Sequence, residues 1–197
     1  MKHLFNHKLL MLAIGLFIAT ACGDDDEVKT KGNISLDSEQ SSIASGWFMY
    51  DTSPNHDIEE NVYYRNQIIF FGKGLKFEKD GDEYETTGSG DVLELYINNE
   101  GQLPETGIYT WQGEENEQPF DLWYGLYTQN VNTGDEATYR LQSGTLTISK
   151  SGSTYKMSFE GTAYLEIGQD FKQSAGLPPI AVTAEFEGKL KKAKFDF

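Results

Sequence analysis

Residues 145–160 read TLTISKSGSTYKMSFE, and apolar and polar side chains alternate there on both sides of a short polar loop. A period of two residues places successive side chains on opposite faces of a β-strand. Gly152 lies in the loop, where a tight hairpin commonly requires a positive φ. The stretch therefore predicts two antiparallel strands that each have one apolar and one polar face. Its apolar positions are Leu146, Ile148, Tyr155, Met157 and Phe159.

The same alternation recurs outside this hairpin, at residues 93–97, 120–126 and 180–186. Residues 68–71 are continuously apolar, which predicts a strand that is buried on both faces. Apolar positions do not recur at helical spacing over three turns. The chain is therefore predicted to be all-β, a single antiparallel β-sandwich or half-open barrel of roughly eight to ten strands. A closed barrel is the alternative, because Ser45-Gly46-Trp47 resembles the Gly-x-Trp of lipocalin-like barrels.

The chain is strongly acidic, with 16 Lys and Arg against 31 Asp and Glu and a formal net charge of −15. Nucleic-acid phosphates require Lys and Arg, so we expect no nucleic-acid partner. The same balance argues against electrostatic binding to an anionic bilayer. Acidity also favours solubility, so it identifies no partner by itself.

The first 21 residues have the three parts of a secretory signal peptide. Lys2 and Lys8 precede an apolar stretch, residues 9–19, that is too short to cross a bilayer comfortably. Small residues then precede Cys22, the single cysteine of the chain. This arrangement resembles the processing site of bacterial lipoproteins, although Ala19 stands where the usual motif has Leu. The resemblance implies acyl chains on Cys22, attachment to a membrane through that lipid, and no disulfide or catalytic role for its sulfur.

An acidic run follows the cysteine, formed by Gly23, Asp24, Asp25, Asp26 and Glu27. It resembles the export signal of Bacteroidota-type surface lipoproteins, which implies display on the outer face of the outer membrane. Attachment that faces the periplasm is the alternative, and a block of like charges is also typical of a solvated tether. We therefore divide the chain into a signal peptide (1–21), a lipidated tether (22–42) and one all-β domain (43–197).

Four turn-and-strand motifs extend the resemblance over most of the remaining chain. They are Leu103-Pro104-x-x-Gly107-x-Tyr109-Thr110, Ser143-Gly144-x-Leu146-x-Ile148, Gly152-x-x-Tyr155 and Glu185-Phe186-x-Gly188-x-Leu190. Together they resemble the small, β-rich surface lipoproteins of the Bacteroidota type. The resemblance implies fold and location, and loosely a role as an accessory to surface glycan uptake or adhesion. It implies no catalytic residues.

Catalytic and metal-binding patterns are scarce in the sequence. After removal of residues 1–21, His56 is the one histidine, and it lies in a polar turn. A zinc site or a Ser-His-Asp triad needs several converging groups, so we expect no metal, no cofactor and no catalysis. Paired carboxylates remain numerous enough for a glycoside hydrolase, which is the enzymatic alternative.

Aromatic side chains form the most suggestive group. Trp111, Trp123, Tyr124 and Tyr127 flank residues 113–119. Strict alternation places Trp123 and Tyr127 opposite Leu122, on the nominally solvated face of their strand. They are interpreted either as a surface that stacks on sugar rings or as part of the core. The functions predicted are glycan or other ligand binding and, as the alternative, a structural or accessory role that docks a surface protein.

Overall fold

The computed structural model describes residues 29–56, 62–81, 83–113, 118–167, 172–173 and 178–194. The predicted signal peptide, Cys22 and the acidic run from Gly23 to Glu27 lie outside these residues. The described part contains no helix with the length and apolarity that a membrane crossing requires.

Within the described ranges the chain forms fourteen strands and no helix, which confirms the prediction of an all-β fold. The first seven strands are β1 (Lys31–Leu36), β2 (Glu39–Tyr50), β3 (Asn55–His56), β4 (Val62–Gly72), β5 (Leu75–Asp80), β6 (Glu83–Gly88) and β7 (Gly90–Asn99). The others are β8 (Gly107–Trp111), β9 (Asp121–Val131), β10 (Ala137–Ser151), β11 (Thr154–Ile167), β12 (Lys172–Gln173), β13 (Ile180–Gly188) and β14 (Leu190–Lys194).

Eight of these strands form a closed ring of antiparallel pairs, in the order β1, β2, β4, β7, β9, β10, β11 and β13. The ring closes because β1 also pairs with β13. Among the architectures that the sequence left open, this pairing corresponds to the closed barrel. Closure leaves these eight strands without a free edge where neighbours pair. The strand β14 adds a parallel partner to β2, and β8 lies between β9 and β10.

Apolar side chains fill the interior of the barrel. Ile34, Phe48, Leu95 and Phe159 are almost completely buried there, within one continuous cluster. The packing is tight enough to require glycine: a Cβ atom on Gly161 would lie 2.6 Å from the Phe159 ring. A core packed in this way leaves the outer wall as the place to look for a binding site.

The strands β5 and β6 form a separate two-stranded sheet, inserted between β4 and β7. This hairpin packs on the outer wall and covers a second apolar cluster. Ile69 and Phe71 belong to that outer cluster, whereas Ile68 and Phe70 face the barrel interior. The hairpin therefore explains why residues 68–71 are apolar on both faces, as the sequence predicted. At its base Gly74 has a φ of 105°, which favours glycine.

The predicted boundary between tether and domain is wrong. The strand β1 and the first residues of β2 lie within residues 22–42, which we expected to form the tether. Ile34 and Leu36 are buried in the core, and β1 pairs with β13. Only two apolar side chains mark β1 among polar ones, so the stretch has the composition of a linker although long-range pairing makes it a strand. The folded part therefore extends at least to Lys31.

Candidate functional site

Two groups of aromatic side chains lie on the outer wall of the barrel. We call the first the arginine-covered cluster: Arg65, Tyr96, Trp123, Tyr124 and Arg140. The second lines a cleft between the β5–β6 hairpin and the barrel wall, which we call the hairpin cleft.

The arginine-covered cluster depends on a β-bulge in β9. Tyr124 pairs with Tyr96 and Leu122 pairs with Ile97, so Trp123 is an extra residue between two registered pairs. The bulge reverses the alternation beyond Trp123. Leu122 and Tyr127 therefore both face the barrel interior, although they are five residues apart.

The predicted common face of Trp123 and Tyr127 is consequently wrong. Tyr127 is only 1% exposed and belongs to the interior cluster, so its interpretation as a core residue is correct. Trp111, at the end of β8, is half-buried and packs against the same interior cluster. Of the four aromatic residues predicted for a binding surface, the structure brings only Trp123 and Tyr124 together on the outer wall.

Guanidinium groups cover these two rings. The Cζ atom of Arg65 lies 5.5 Å from the Trp123 ring centroid, and that of Arg140 lies 4.8 Å from the Tyr124 centroid. The Tyr96 ring makes edge contacts with both aromatic rings, with centroids 5.4 and 5.2 Å apart. Both aromatic side chains are half-buried. A sugar that stacked on the covered faces would have to displace the cation–π contacts, so the cluster is not an open platform.

The hairpin cleft, by contrast, is an open concavity of about 740 Å³. This volume is within the range of small-molecule sites, roughly 300–1,000 Å³. Its apolar lining is Met49, Ile69, Phe71, Phe77, Tyr84, Val92 and Val131. Its polar lining is Glu83, Thr86, Glu94, Thr128, Glu136 and Lys194.

A stack of rings attaches the hairpin to the wall. Phe77 stacks on Phe71 with centroids 5.0 Å apart and on Tyr84 at 5.1 Å, with interplanar angles of 16° and 15°. Trp47 meets Phe77 and Tyr84 edge-on, at 4.9 and 5.8 Å. Offset and edge contacts of this kind stabilise beyond the area that they bury. They fix one wall of the cleft relative to the other.

Glu94 connects the cleft with the arginine-covered cluster. Its Oε2 atom accepts hydrogen bonds from Gln67 Nε2 at 2.6 Å and from the Tyr96 hydroxyl at 3.2 Å. Gln67 Nε2 also donates to the Tyr96 oxygen at 2.9 Å. Burial raises the pKa of the Glu94 carboxyl, and the two hydrogen bonds oppose that rise without cancelling it. Burial also raises the pKa of Tyr96, so its hydroxyl remains a donor at neutral pH.

The polar groups of the cleft are suited to binding. Three carboxylates accept hydrogen bonds, whereas Lys194 supplies an ammonium group. Among the described residues, His, Cys, Asp and Glu form no group of three or more that could hold a metal ion. His56 pairs with Val62 at the start of β4, whereas the hairpin follows the end of that strand at Gly72. The described histidine is therefore not part of the cleft.

Comparisons with protein-family models, with curated proteins and with solved structures gave no match. The argument for function therefore rests on the geometry of the site.

Sequence reasoning missed the cleft residues Phe77, Tyr84 and Glu94. The available signal was the doubly apolar run at residues 68–71, which requires a cover on its outer face. Residues 75–88 contain Phe77 and Tyr84 on either side of a glycine-containing turn, which is the pattern of a short hairpin. The two signals together could have identified the cover, but not the space left beneath it.

Proposed function

We propose that this protein is a noncatalytic, lipid-anchored β-domain that binds a small neutral saccharide in the hairpin cleft. The observation that carries the proposal is the cleft itself: an opening of about 740 Å³ with aromatic walls and a few converging polar groups. Sites with this composition bind ligands that combine an apolar surface with fixed polar groups.

A neutral sugar fits the chemistry of the lining. Its C–H face can pack against Tyr84, which Phe77 supports by stacking, while its hydroxyls donate to Glu83, Glu94 and Glu136. The described lining has three carboxylates and one ammonium group, and the chain has a net charge of −15, so an anionic ligand is disfavoured. The same carboxylates favour a ligand rich in hydrogen-bond donors.

The sequence between Cys22 and β1 limits how far an anchored barrel can lie from the membrane. Lys31 begins β1, the first described strand. Lys31 is nine residues after Cys22, an extended span of at most about 30 Å. A lipid on Cys22 would therefore hold the first strand of the barrel close to the membrane. Intact-mass analysis of the wild type and of Cys22→Ala tests this part, and an unacylated wild-type protein would contradict it.

The binding proposal is tested by titration calorimetry of the full-length protein with neutral malto-, cello-, xylo- and manno-oligosaccharides. We expect at least one series to bind and Phe77→Ala to weaken it by roughly tenfold or more, because one cleft wall is lost. The matched control is Trp123→Ala, which removes a ring from the arginine-covered cluster and should bind normally. Loss of binding in Trp123→Ala but not in Phe77→Ala would show that the saccharide binds at the arginine-covered cluster instead of the hairpin cleft. Absence of binding to all four series would contradict the proposal.

A further inference from the structure

The two carboxylate oxygens of Glu94 have different surroundings. Its Oε2 atom accepts hydrogen bonds from Gln67 and Tyr96. Its Oε1 atom accepts no hydrogen bond from the described residues. This atom is also not one of the polar atoms that are both buried and without a hydrogen-bond partner. One oxygen is therefore fixed to the wall, and the other is accessible on a side chain that lines the cleft.

We infer that Oε1 of Glu94 is the acceptor that selects the ligand, by binding a hydroxyl donor of a neutral sugar and rejecting acidic sugars. This inference rests on the proposed saccharide binding and adds its specificity determinant. Because Gln67 and Tyr96 hold Oε2, the carboxylate plane is oriented before a ligand arrives. Preorganised acceptors lose little freedom on binding, so their hydrogen bonds contribute more to affinity.

Ligand binding at Glu94 should be coupled to loss of a proton. Burial raises the pKa of this carboxyl in the free protein, and a donated hydrogen bond at Oε1 favours the charged form. The complex therefore has the lower pKa, and affinity falls as the pH falls through the pKa of the free protein. Above that pKa the carboxylate is already ionised, and the affinity no longer depends on it.

Other charged and titratable groups lie in the hairpin cleft and in the arginine-covered cluster, between which Glu94 is placed. They are Tyr96 on its own strand, Arg65 on β4, Tyr124 on β9, Arg140 on β10, Glu83 and Tyr84 on the hairpin, Glu136 after β9 and Lys194 on β14. The pKa of Glu94 is set mainly by its burial and by the hydrogen bonds from Tyr96 and Gln67. Glu85 is exposed on β6 and does not line the cleft, which makes it a suitable carboxylate control on the same hairpin.

The experiment measures the affinity of the full-length protein for the neutral oligosaccharide that binds best, at about pH 7.5 and about pH 5. We expect the wild-type affinity to fall towards the lower pH, by up to about tenfold per pH unit below the pKa. Glu94→Gln should bind roughly tenfold or more weakly at the higher pH and show a flat profile, because a charged acceptor is lost. Glu85→Gln should keep the wild-type affinity and pH profile.

A second variant separates recognition from a structural role. Tyr96→Phe removes one of the donors that lower the pKa of Glu94, so its loss of affinity should begin at a higher pH than in the wild type. Circular dichroism verifies the fold of each variant. Wild-type affinity and pH profile in Glu94→Gln, or tighter binding of uronic-acid oligosaccharides than of neutral ones, would overturn the inference while leaving saccharide binding intact. Absence of binding to every neutral series would instead overturn the proposed function, and the inference with it.

Discussion

The two aromatic groups on the outer wall differ in what covers their rings. In the arginine-covered cluster, the guanidinium groups of Arg65 and Arg140 lie over Trp123 and Tyr124. In the hairpin cleft, Phe77 and Tyr84 are held by other rings and still leave an open volume beside them. Half-buried aromatic residues therefore mark a candidate binding site only where a second wall provides space that no described side chain fills.

The largest effect is expected where the hairpin is attached to the barrel. Trp47 is 7% exposed and contacts both Phe77 and Tyr84 edge-on. Trp47→Ala should lower the free energy of unfolding by about 3–5 kcal/mol, as measured by urea denaturation. Trp47→Phe retains an aromatic ring, so it should lower the free energy of unfolding by less than Trp47→Ala does. A loss below about 1 kcal/mol in Trp47→Ala would show that the hairpin is held in another way.

A smaller and more local effect is expected from Phe77→Ala, since Phe77 is half-buried. The substitution should reduce the stability by about 2 kcal/mol and accelerate amide hydrogen exchange in β5 and β6. The exchange of β10 and β11, on another side of the barrel, should not change. Lys79→Ala, at an exposed position of the same strand, is the control. Equal acceleration throughout the barrel would mean that the hairpin and barrel unfold as one unit.

Trp123→Ala should destabilise the protein by about 1–2 kcal/mol, through loss of the Arg65 and Tyr96 contacts. It should leave saccharide affinity unchanged, whereas Phe77→Ala should not. Thermal unfolding and calorimetry on the same samples make this comparison. Reduced affinity at unchanged stability would show that the arginine-covered cluster also takes part in binding.

The smallest stability effect is expected from Glu94→Gln, and its pH dependence is diagnostic. A carboxyl whose pKa is raised on folding contributes stability that is fully present below its unfolded value, near 4.5, and lost as the pH rises through the folded value. The wild type should therefore be less stable than Glu94→Gln at neutral pH. The difference between their free energies of unfolding should become smaller as the pH falls. Chemical denaturation at several pH values measures this, and a constant difference would contradict the assigned ionisation.

Local pattern was sufficient to predict most of the strands. Each alternating run, such as residues 145–160, requires only neighbouring residues to specify a strand with two unlike faces. Gly152 in the predicted loop indeed has a positive φ, 58°. Closure of the barrel, in contrast, depends on the pairing of β1 with β13, near opposite ends of the described chain. Only two apolar residues in β1 signal that pairing.

The errors at the candidate site have one local cause and one distant cause. A single bulge at Trp123 exchanges the two faces of β9, so strict alternation assigned Tyr127 to solvent when it lies in the core. The distant cause is the pair of guanidinium groups that lie over the Trp123 and Tyr124 rings. Arg65 and Arg140 are 58 and 17 residues from Trp123 along the chain, and no sequence period relates them to it.

The hairpin is inserted between the end of β4 and the start of β7, and these two strands pair directly with each other. The ring therefore needs only a short link at this point, and everything from Leu75 to Gly88 is an addition to a complete barrel. Such an insert can change in length or composition while the closure of the ring stays the same. Under the proposed function, a change in the hairpin would alter one wall of the cleft and leave the wall that carries Glu94 in place. Exchange of these fourteen residues would therefore reshape the cleft without altering the ring.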